Sequence, residues 1–160
     1  MVTTGTSGRY NNKSEVIDLM DPTKTCQPWV EYPIGVDSAV GVFIQDKVVI
    51  CGGDSTFTAG NGAVDRCFAL GPSEVTEMTM SAASYSSAAG TFDQSFFISG
   101  GYDGKQTLDR TEYISVSGVR NGPNLPTPLA GHCNVQISPN ELLVTGGSPD
   151  GDFGIKYVLK

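Results

Sequence analysis

The sequence is poor in the residues on which most enzyme active sites depend. It contains a single histidine, His132, among 160 residues. A hydrolytic triad needs a histidine, a nucleophile and an acid that converge on one point, and a lone histidine among many serines does not indicate such a grouping. We therefore predict that the protein is not an enzyme.

Basic residues and long apolar runs are scarce as well. Lysine and arginine number 10 against 17 acidic residues, which gives a net charge of −7, and the basic residues do not cluster. Because phosphate backbones are bound by basic surfaces, this argues against a nucleic-acid partner. Apolar runs such as Val48-Val49-Ile50-Cys51 are far shorter than the roughly 20 residues of a transmembrane helix. We predict neither nucleic-acid binding nor membrane insertion.

Motifs that would hold a phosphate or a metal are also missing. The double glycines, such as Gly52-Gly53, lack the Lys-Ser/Thr that completes a phosphate-binding loop. Asp150-Gly151-Asp152 lacks the ligand spacing and the closing glutamate of a calcium loop, and we interpret it as a turn. The four cysteines are too scattered for a zinc site. The sequence therefore predicts no metal and no cofactor.

Glycine, in contrast, is abundant, and its positions repeat. Twenty glycines are present, and three pairs of them end short apolar runs. These pairs are Gly52-Gly53, Gly100-Gly101 and Gly146-Gly147, which lie 48 and 46 residues apart. A fixed period in this range is the signature of a repeat architecture.

Within each period the sequence predicts four short strands. A strand of small residues from Ser86 to Phe92 is followed by the tight turn Asp93-Gln94 and by a second strand that ends in the glycine pair. Comparable first strands are predicted from Ala39 to Ile44 and from His132 to Ile137. Bulky side chains suit the wide outer part of a wedge-shaped sheet, and these are Trp29, Tyr32 and Met78. We predict an all-β fold built from antiparallel four-stranded sheets.

The repeat resembles the kelch family, whose units are about 50 residues long. The resemblance rests on the double glycine, the third-strand aromatic, the fourth-strand Trp29 and the later Leu125-Pro126, and it covers nearly the whole chain. Two departures are Thr4-Gly5-Thr6, where a glycine pair would stand, and Val75, where the next tryptophan would stand. The resemblance implies kelch-type β-propeller blades of four antiparallel strands. It also implies that His132 is a packed, hydrogen-bonded residue.

The repeat divides the chain into two complete blades flanked by two partial ones. The predicted blades span 34–80 and 81–126, and the predicted partial blades span 1–33 and 127–160. Such an arc is an incomplete ring, whereas propellers close fully and so remove exposed sheet edges. Two explanations stay open: the 160 residues are a portion of a longer chain, or two copies close one ring together.

Two of the four cysteines fall on neighbouring strands of one predicted hairpin. Cys51 ends a second strand and Cys67 begins the third, which brings the two side chains close to disulfide range. They form either a disulfide or two small buried hydrophobic residues, and free cysteines often are the latter. Cys26 and Cys133 lie on different blades, so we predict that they do not bond to each other.

A glycosylation sequon adds to the question of the compartment. Asn12-Lys13-Ser14 has the acceptor pattern and falls in a predicted loop, so Asn12 is a candidate glycosylation site. Together with a disulfide, it indicates an extracellular or secretory protein. A cytoplasmic location is the alternative.

The loops that follow the second strands carry the candidate binding residues. In a propeller these loops share one face with the segments that enter the next blade. They combine aromatic side chains, which supply large contact areas at low entropic cost, with acids. We predict a protein or peptide partner here, bound by Tyr10, Asp54, Phe57, Tyr102, Asp103, Asp152 and Phe153.

Two other functions remain open at this point. The chain is alternatively a structural subunit that packs through its open blade edges, by self-association or in a larger assembly. It is alternatively a carbohydrate-binding propeller. Fold alone does not decide between these functions, because many unrelated functions occur on propellers.

Overall fold

The computed structural model describes residues 2–6, 10–21, 23–56, 62–115, 117–150 and 158–159, with 2–6, 10–11 and 158–159 described by their backbone alone. The described residues form fourteen β-strands and no helix: β1 Val2–Thr6, β2 Tyr10–Val16, β3 Gln27–Pro28, β4 Val40–Ile44, β5 Lys47–Cys51, β6 Arg66–Leu70, β7 Val75–Thr79, β8 Ala88–Phe92, β9 Ser95–Ser99, β10 Thr111–Ser115, β11 Gly118–Asn121, β12 Ala130–Ser138, β13 Glu141–Ser148 and β14 Val158–Leu159. In this part of the chain there is no helix long and apolar enough to cross a membrane.

The strands assemble into four antiparallel sheets. Blade 1 contains β1, β2 and β3, blade 2 contains β4 to β7, blade 3 contains β8 to β11, and blade 4 contains β12, β13 and β14. Strands that follow one another in the sequence are neighbours in each sheet, so every blade is a meander. The blades are of the β-propeller type and do not close into a ring. The predicted all-β fold of four-stranded antiparallel blades is confirmed.

The first and second strands of blades 2 and 3 are joined by two-residue turns. Gln45 and Asp46 have φ of 50° and 59°, and Asp93 and Gln94 have φ of 45° and 57°. Positive φ at both central residues matches the twist of the flanking strands, which is why this turn type predominates in tight hairpins. These turns define one edge of the blades, called the turn edge below.

At the opposite edge, the glycine pairs connect each blade to the next. The backbone N–H of Gly53 donates to Ser84 O at 2.9 Å, and that of Gly101 donates to Leu129 O at 2.8 Å. Gly53 has φ of 104°, and a Cβ there would lie 2.7 Å from Asp37 O. Glycine is required because the backbone is left-handed and because another strand passes within contact distance.

Apolar side chains between blades 2 and 3 form the main core. Blade 2 contributes Val49, Cys51, Cys67 and Ala69, and Met80 follows its last strand; blade 3 contributes Phe96, Ile98 and Ile114. Cys51 and Cys67 are directly opposite each other on β5 and β6 and are joined by a disulfide. Their pairing resolves the two alternatives that the sequence left open. Cys26 and Cys133 are free and exposed.

A second core joins the segment after blade 1 to the other face of blade 2. Tyr32 is fully buried, and its ring meets that of Phe68 edge-on at 5.2 Å. Burial raises the pKa of the Tyr32 hydroxyl well above its ordinary value. Trp29 is half-buried against this cluster, and Met78 is half-buried against the main core. The bulky residues thus pack between blades, as their size indicated.

Candidate functional site

Blades 2, 3 and 4 each extend beyond the glycine pair by one further pair of residues on opposite strands. In blade 2 backbone hydrogen bonds join Asp37 and Asp54, with N–O distances of 3.0 and 2.9 Å. In blade 3 they join Tyr85 and Tyr102, with distances of 3.0 and 2.8 Å. In blade 4 the corresponding pair is Ala130 and Ser148, which belongs to β12 and β13. One backbone geometry therefore presents two acids, then two phenols, then two small residues on successive blades.

The blade 2 and blade 3 pairs lie close together at the edge opposite the turns, which we call the loop face. The rings of Tyr85 and Tyr102 meet at 5.5 Å with an interplanar angle of 67°. Burial raises the pKa of Tyr85, and so do the neighbouring groups Asp54, Tyr102, Asp37 and Asp103. Negative charges raise the pKa of a phenol because they disfavour its ionised form. We call this set the Asp–Tyr patch: Asp37, Asp54, Tyr85, Tyr102 and Asp103.

Two acids of the patch also shape their loops. Asp54 Oδ1 accepts hydrogen bonds from Thr56 N at 2.8 Å and from Thr56 Oγ1 at 3.3 Å. Asp103 Oδ1 accepts from the backbone N–H groups of Lys105 and Gln106 at 2.7 and 2.8 Å. Such bonds close a turn in place of the backbone. The carboxylates are therefore held in fixed positions before any partner arrives.

The patch is rich in negative charge. Among the described residues, no ion pair within 4.0 Å involves Asp37, Asp54 or Asp103. The two tyrosines are half-buried, and neither hydroxyl bonds to a described residue. Carboxylates beside aromatic rings favour a cationic group, since such a group is attracted by the charge and by the ring face. The arrangement suits recognition of a basic side chain.

A buried ion pair below the patch holds the segment that leads to Tyr85. Glu112, on β10, is fully buried and pairs with Arg110. Arg110 also donates to Ala82 O at 2.6 Å and to Ser84 Oγ at 3.0 Å, while Glu112 accepts from Ser81 N at 3.2 Å. Burial lowers the pKa of Arg110, and the charge of Glu112 opposes that change. The pair thereby fixes residues 81–84 and, through them, the position of Tyr85.

His132 links blade 3 to blade 4 and does not face the patch. Its Nε2 lies 2.8 Å from Ser99 Oγ, and Ser99 also bonds to Asn134. Burial lowers the pKa of His132 to about 4, so the ring is neutral at pH 7. The residue is packed and hydrogen-bonded, as the kelch resemblance implies.

The structure brings together three of the seven predicted binding residues: Asp54, Tyr102 and Asp103. Tyr10 belongs to β2 by its backbone, and its side chain lies outside the described residues. Three further predictions also lie outside them: Phe57, Asp152 and Phe153. The sequence reasoning missed Asp37 and Tyr85. They lie 48 residues apart, as Asp54 and Tyr102 do, and this shared spacing is the signal that would have found them.

One sequence-based placement is wrong. Asn12 was expected in a loop, but it lies within strand β2, where its backbone oxygen accepts from Tyr32 N at 2.7 Å. The sequon serine, Ser14, is buried. The sequon therefore occupies a paired strand, because β2 already begins at Tyr10. In the described part of the chain, no group of three or more His, Cys, Asp or Glu side chains is arranged to hold a metal.

Comparisons with known proteins bear on the fold. No protein-family model matches the chain, and no curated protein matches it. In contrast, 117 chains of solved structures match this chain. One of them is the structure of YjhT, with a TM-score of 0.75 and 16% sequence identity over 92% of this chain. The chain spans about half of YjhT, 48% of its length. At this identity the likeness shows the fold alone: the chain shares with YjhT a fold of antiparallel β blades.

Proposed function

We propose that the protein is a non-enzymatic interaction scaffold that binds a protein or peptide through its loop face. The observation that carries the proposal is the Asp–Tyr patch, in which an acid pair on blade 2 adjoins a tyrosine pair on blade 3. Binding residues are often carried by loops that a rigid scaffold positions, and here the backbone on both sides is held by paired hydrogen bonds.

The partner is proposed to present a lysine or arginine to the patch. Three carboxylates attract a positive charge, and the exposed parts of Tyr85 and Tyr102 supply aromatic surface beside them. A cation over an exposed aromatic ring contributes about 0.5–1 kcal/mol. The net charge of −7 extends the attraction to longer range.

We further propose that the chain belongs to the kelch family and acts outside the cytoplasm. The glycine-pair period of 48 and 46 residues supports the family. The Cys51–Cys67 disulfide supports an oxidising compartment, since disulfides are rare in cytosolic proteins.

A peptide-display selection tests the binding function. Random 12-residue peptides are selected on the immobilised protein. The affinity of the enriched peptides is then measured for the native protein and for Tyr85→Ala/Tyr102→Ala. We expect enrichment of lysine and arginine, and at least a tenfold loss of affinity in the double variant. The matched control is Phe43→Ala, an exposed aromatic residue that is 68% accessible and lies away from the patch. Equal binding by both variants would contradict the proposal.

The tyrosine double variant, together with a variant in which the acids of the patch are replaced by amides, separates the carbohydrate-binding alternative. The tyrosine pair also offers rings on which a sugar can stack, so a glycan array is run beside the peptide selection. Sugar binding would depend on the tyrosines and would persist when the acids are replaced by amides. Peptide binding of the proposed kind would be lost in both cases.

A further inference from the structure

A cavity of about 230 Å³ lies between blades 2 and 3 and opens at the turn edge. Its walls are apolar side chains of both blades: Ile44, Val49, Ala69, Met78 and Ile114. All the residues that line it are described, and both blades contain four strands. The cavity is therefore formed by two complete blades, at the edge opposite the Asp–Tyr patch.

The cavity exists because blade 2 has small residues where blade 3 has aromatic ones. Val49 and Phe97 lie on the second strands of the two blades, each three positions before its glycine pair. Val49 is paired across the sheet with Ala69, and Phe97 is paired with Tyr113. The rings of Phe97 and Tyr113 lie 5.1 Å apart. In blade 2 the same two positions hold a valine and an alanine.

The first strands of the two blades differ in the same way. β4 ends at Ile44, and β8 ends at Phe92, whose ring lies 5.6 Å from that of Tyr113. Three aromatic rings thus stand together on the face of blade 3 that is turned to blade 4. The corresponding positions of blade 2, turned to blade 3, hold no ring. Because protein interiors are packed closely, the shape that complements these positions is that of an aromatic ring.

The mouth of the cavity is polar, and its charge is balanced. The side-chain amide of Gln45 donates to Gln94 Oε1 at 3.3 Å, which joins the two tight turns. The ammonium group of Lys47 lies 2.6 Å from a carboxylate oxygen of Glu74, so its charge is already paired. None of the described residues that line the cavity carries a carboxylate. The mouth therefore suits a neutral group that forms hydrogen bonds better than a charged group.

We infer that the cavity binds a small neutral aromatic molecule, with its ring between the apolar walls and one polar group at the mouth. An apolar cavity of about 150 Å³ holds one benzene molecule, so a cavity of this larger size suits roughly seven to nine non-hydrogen atoms. p-Cresol and indole have this size and chemistry. This site lies apart from the loop face, and the inference does not rest on the proposed function.

Calorimetric titration of the 160-residue chain with p-cresol, indole and benzoate tests the inference. Benzoate has nearly the size of p-cresol but carries a negative charge at pH 7. We expect one molecule of p-cresol or indole to bind per chain, at least tenfold more tightly than benzoate. A chain that binds neither p-cresol nor indole overturns the inference, and so does an affinity for benzoate that equals that for p-cresol.

Two substitutions place in the cavity the rings that blade 3 carries. We expect Ala69→Tyr and Ile44→Phe each to weaken p-cresol binding at least tenfold, because the new ring takes the space of the ligand. The matched control, Val75→Phe, adds a ring at an exposed position paired with Leu70, which packs in the second core on the opposite face of blade 2. Its affinity is expected to be unchanged. Circular dichroism checks the fold, and undiminished binding by a folded cavity variant overturns the inference.

Methyl resonances locate the ligand without any substitution. The ring current of bound p-cresol is expected to shift the methyl signals of Met78 and Ile114, which line the cavity. The methyl signals of Val36, buried in the second core, are expected to stay in place. Binding that leaves the signals of Met78 and Ile114 unshifted would put the ligand elsewhere and overturn the inference.

Discussion

The buried pair Arg110–Glu112 is the residue-scale feature on which the loop face depends most. Glu112 is fully buried, and Arg110 reaches from it to the segment that enters blade 3. Glu112→Gln would leave the Arg110 charge buried without its partner. Removing one member of a buried pair typically costs about 3–5 kcal/mol. We expect the free energy of unfolding of Glu112→Gln, measured with urea, to fall by this amount.

The control for this prediction is an exposed pair in blade 2. Arg66 and Glu77 approach to 3.8 Å with both side chains about half exposed. Exposed pairs contribute about 0–1 kcal/mol, so Glu77→Gln should change the free energy of unfolding little. Similar losses in the two variants would contradict the assigned role of Arg110–Glu112.

His132 gives the protein a pH-dependent stability. Burial lowers its pKa from 6.5 to about 4 in the folded state. The unfolded chain therefore binds a proton more readily than the folded protein does. The contribution of neutral His132 to the free energy of unfolding is complete above pH 6.5 and declines between pH 6.5 and about 4. We expect His132→Gln to lose less stability than the native protein when the pH falls from 7.5 to 4.5. If the free energy of unfolding, measured with urea, changed equally with pH in the native protein and in His132→Gln, His132 would not titrate in this way.

At the scale of elements, the entry to each inner strand repeats a left-handed residue. Ser38 and Ser86 each have φ of 52°, and Gly131 in the same place has φ of 66°. Ser86 N–H donates to Ser38 O at 3.0 Å, and Gly131 N–H donates to Ser86 O at 2.7 Å. The three residues form a backbone chain that links successive blades. Its geometry sets φ, whatever the side chain.

This geometry predicts opposite effects for two substitutions. A left-handed conformation costs a non-glycine residue about 1–2 kcal/mol, partly offset by the flexibility that glycine adds to the unfolded chain. We expect Ser86→Gly to raise the midpoint of urea unfolding slightly and Gly131→Ala to lower it. A fall in the midpoint for Ser86→Gly would argue against strain at this position.

The disulfide is the other element-scale contribution to stability. Cys51 and Cys67 are separated by 16 residues and join β5 to β6 inside the main core. Closing a loop of about 15 residues stabilises by roughly 3 kcal/mol in the chain-entropy account. We expect the free energy of unfolding of Cys51→Ala/Cys67→Ala, measured with urea, to be lower by about that amount. Cys26→Ser, which removes an exposed free thiol, should leave the unfolding midpoint unchanged.

The elements that could be predicted from the sequence are those whose geometry depends on the type of one or two residues. The turns Gln45-Asp46 and Asp93-Gln94 and the glycine pairs are such cases, because positive φ restricts the choice of residue. Strand ends were harder to predict. β8 begins at Ala88 and not Ser86, because Ser86 is left-handed, and β12 begins two residues before His132.

The candidate site shows a similar division. Asp54, Tyr102 and Asp103 follow the glycine pairs directly and were found from that position. Asp37 and Tyr85 precede the inner strands, and only the completed backbone pairing brings them beside the others. In the sequence, only the 48-residue spacing that they share with Asp54 and Tyr102 distinguishes them from residues of an ordinary loop.

At the scale of the whole molecule, four blades form an open arc whose loop face presents the Asp–Tyr patch for a basic partner. The net charge of −7 attracts such a partner from a longer distance than the patch alone.

The central claim, that the loop face recognises a basic partner, is tested most directly by one charge-matched comparison. Titration calorimetry measures the affinity of an enriched basic peptide for Asp37→Asn/Asp54→Asn/Asp103→Asn, in which the amides at positions 54 and 103 can still close their turns. The control, Asp46→Asn/Asp93→Asn/Glu141→Gln, removes the same charge at the turn edge. We expect at least tenfold weaker binding in the first variant and an unchanged affinity in the second. Equal affinities in the two variants would contradict the account.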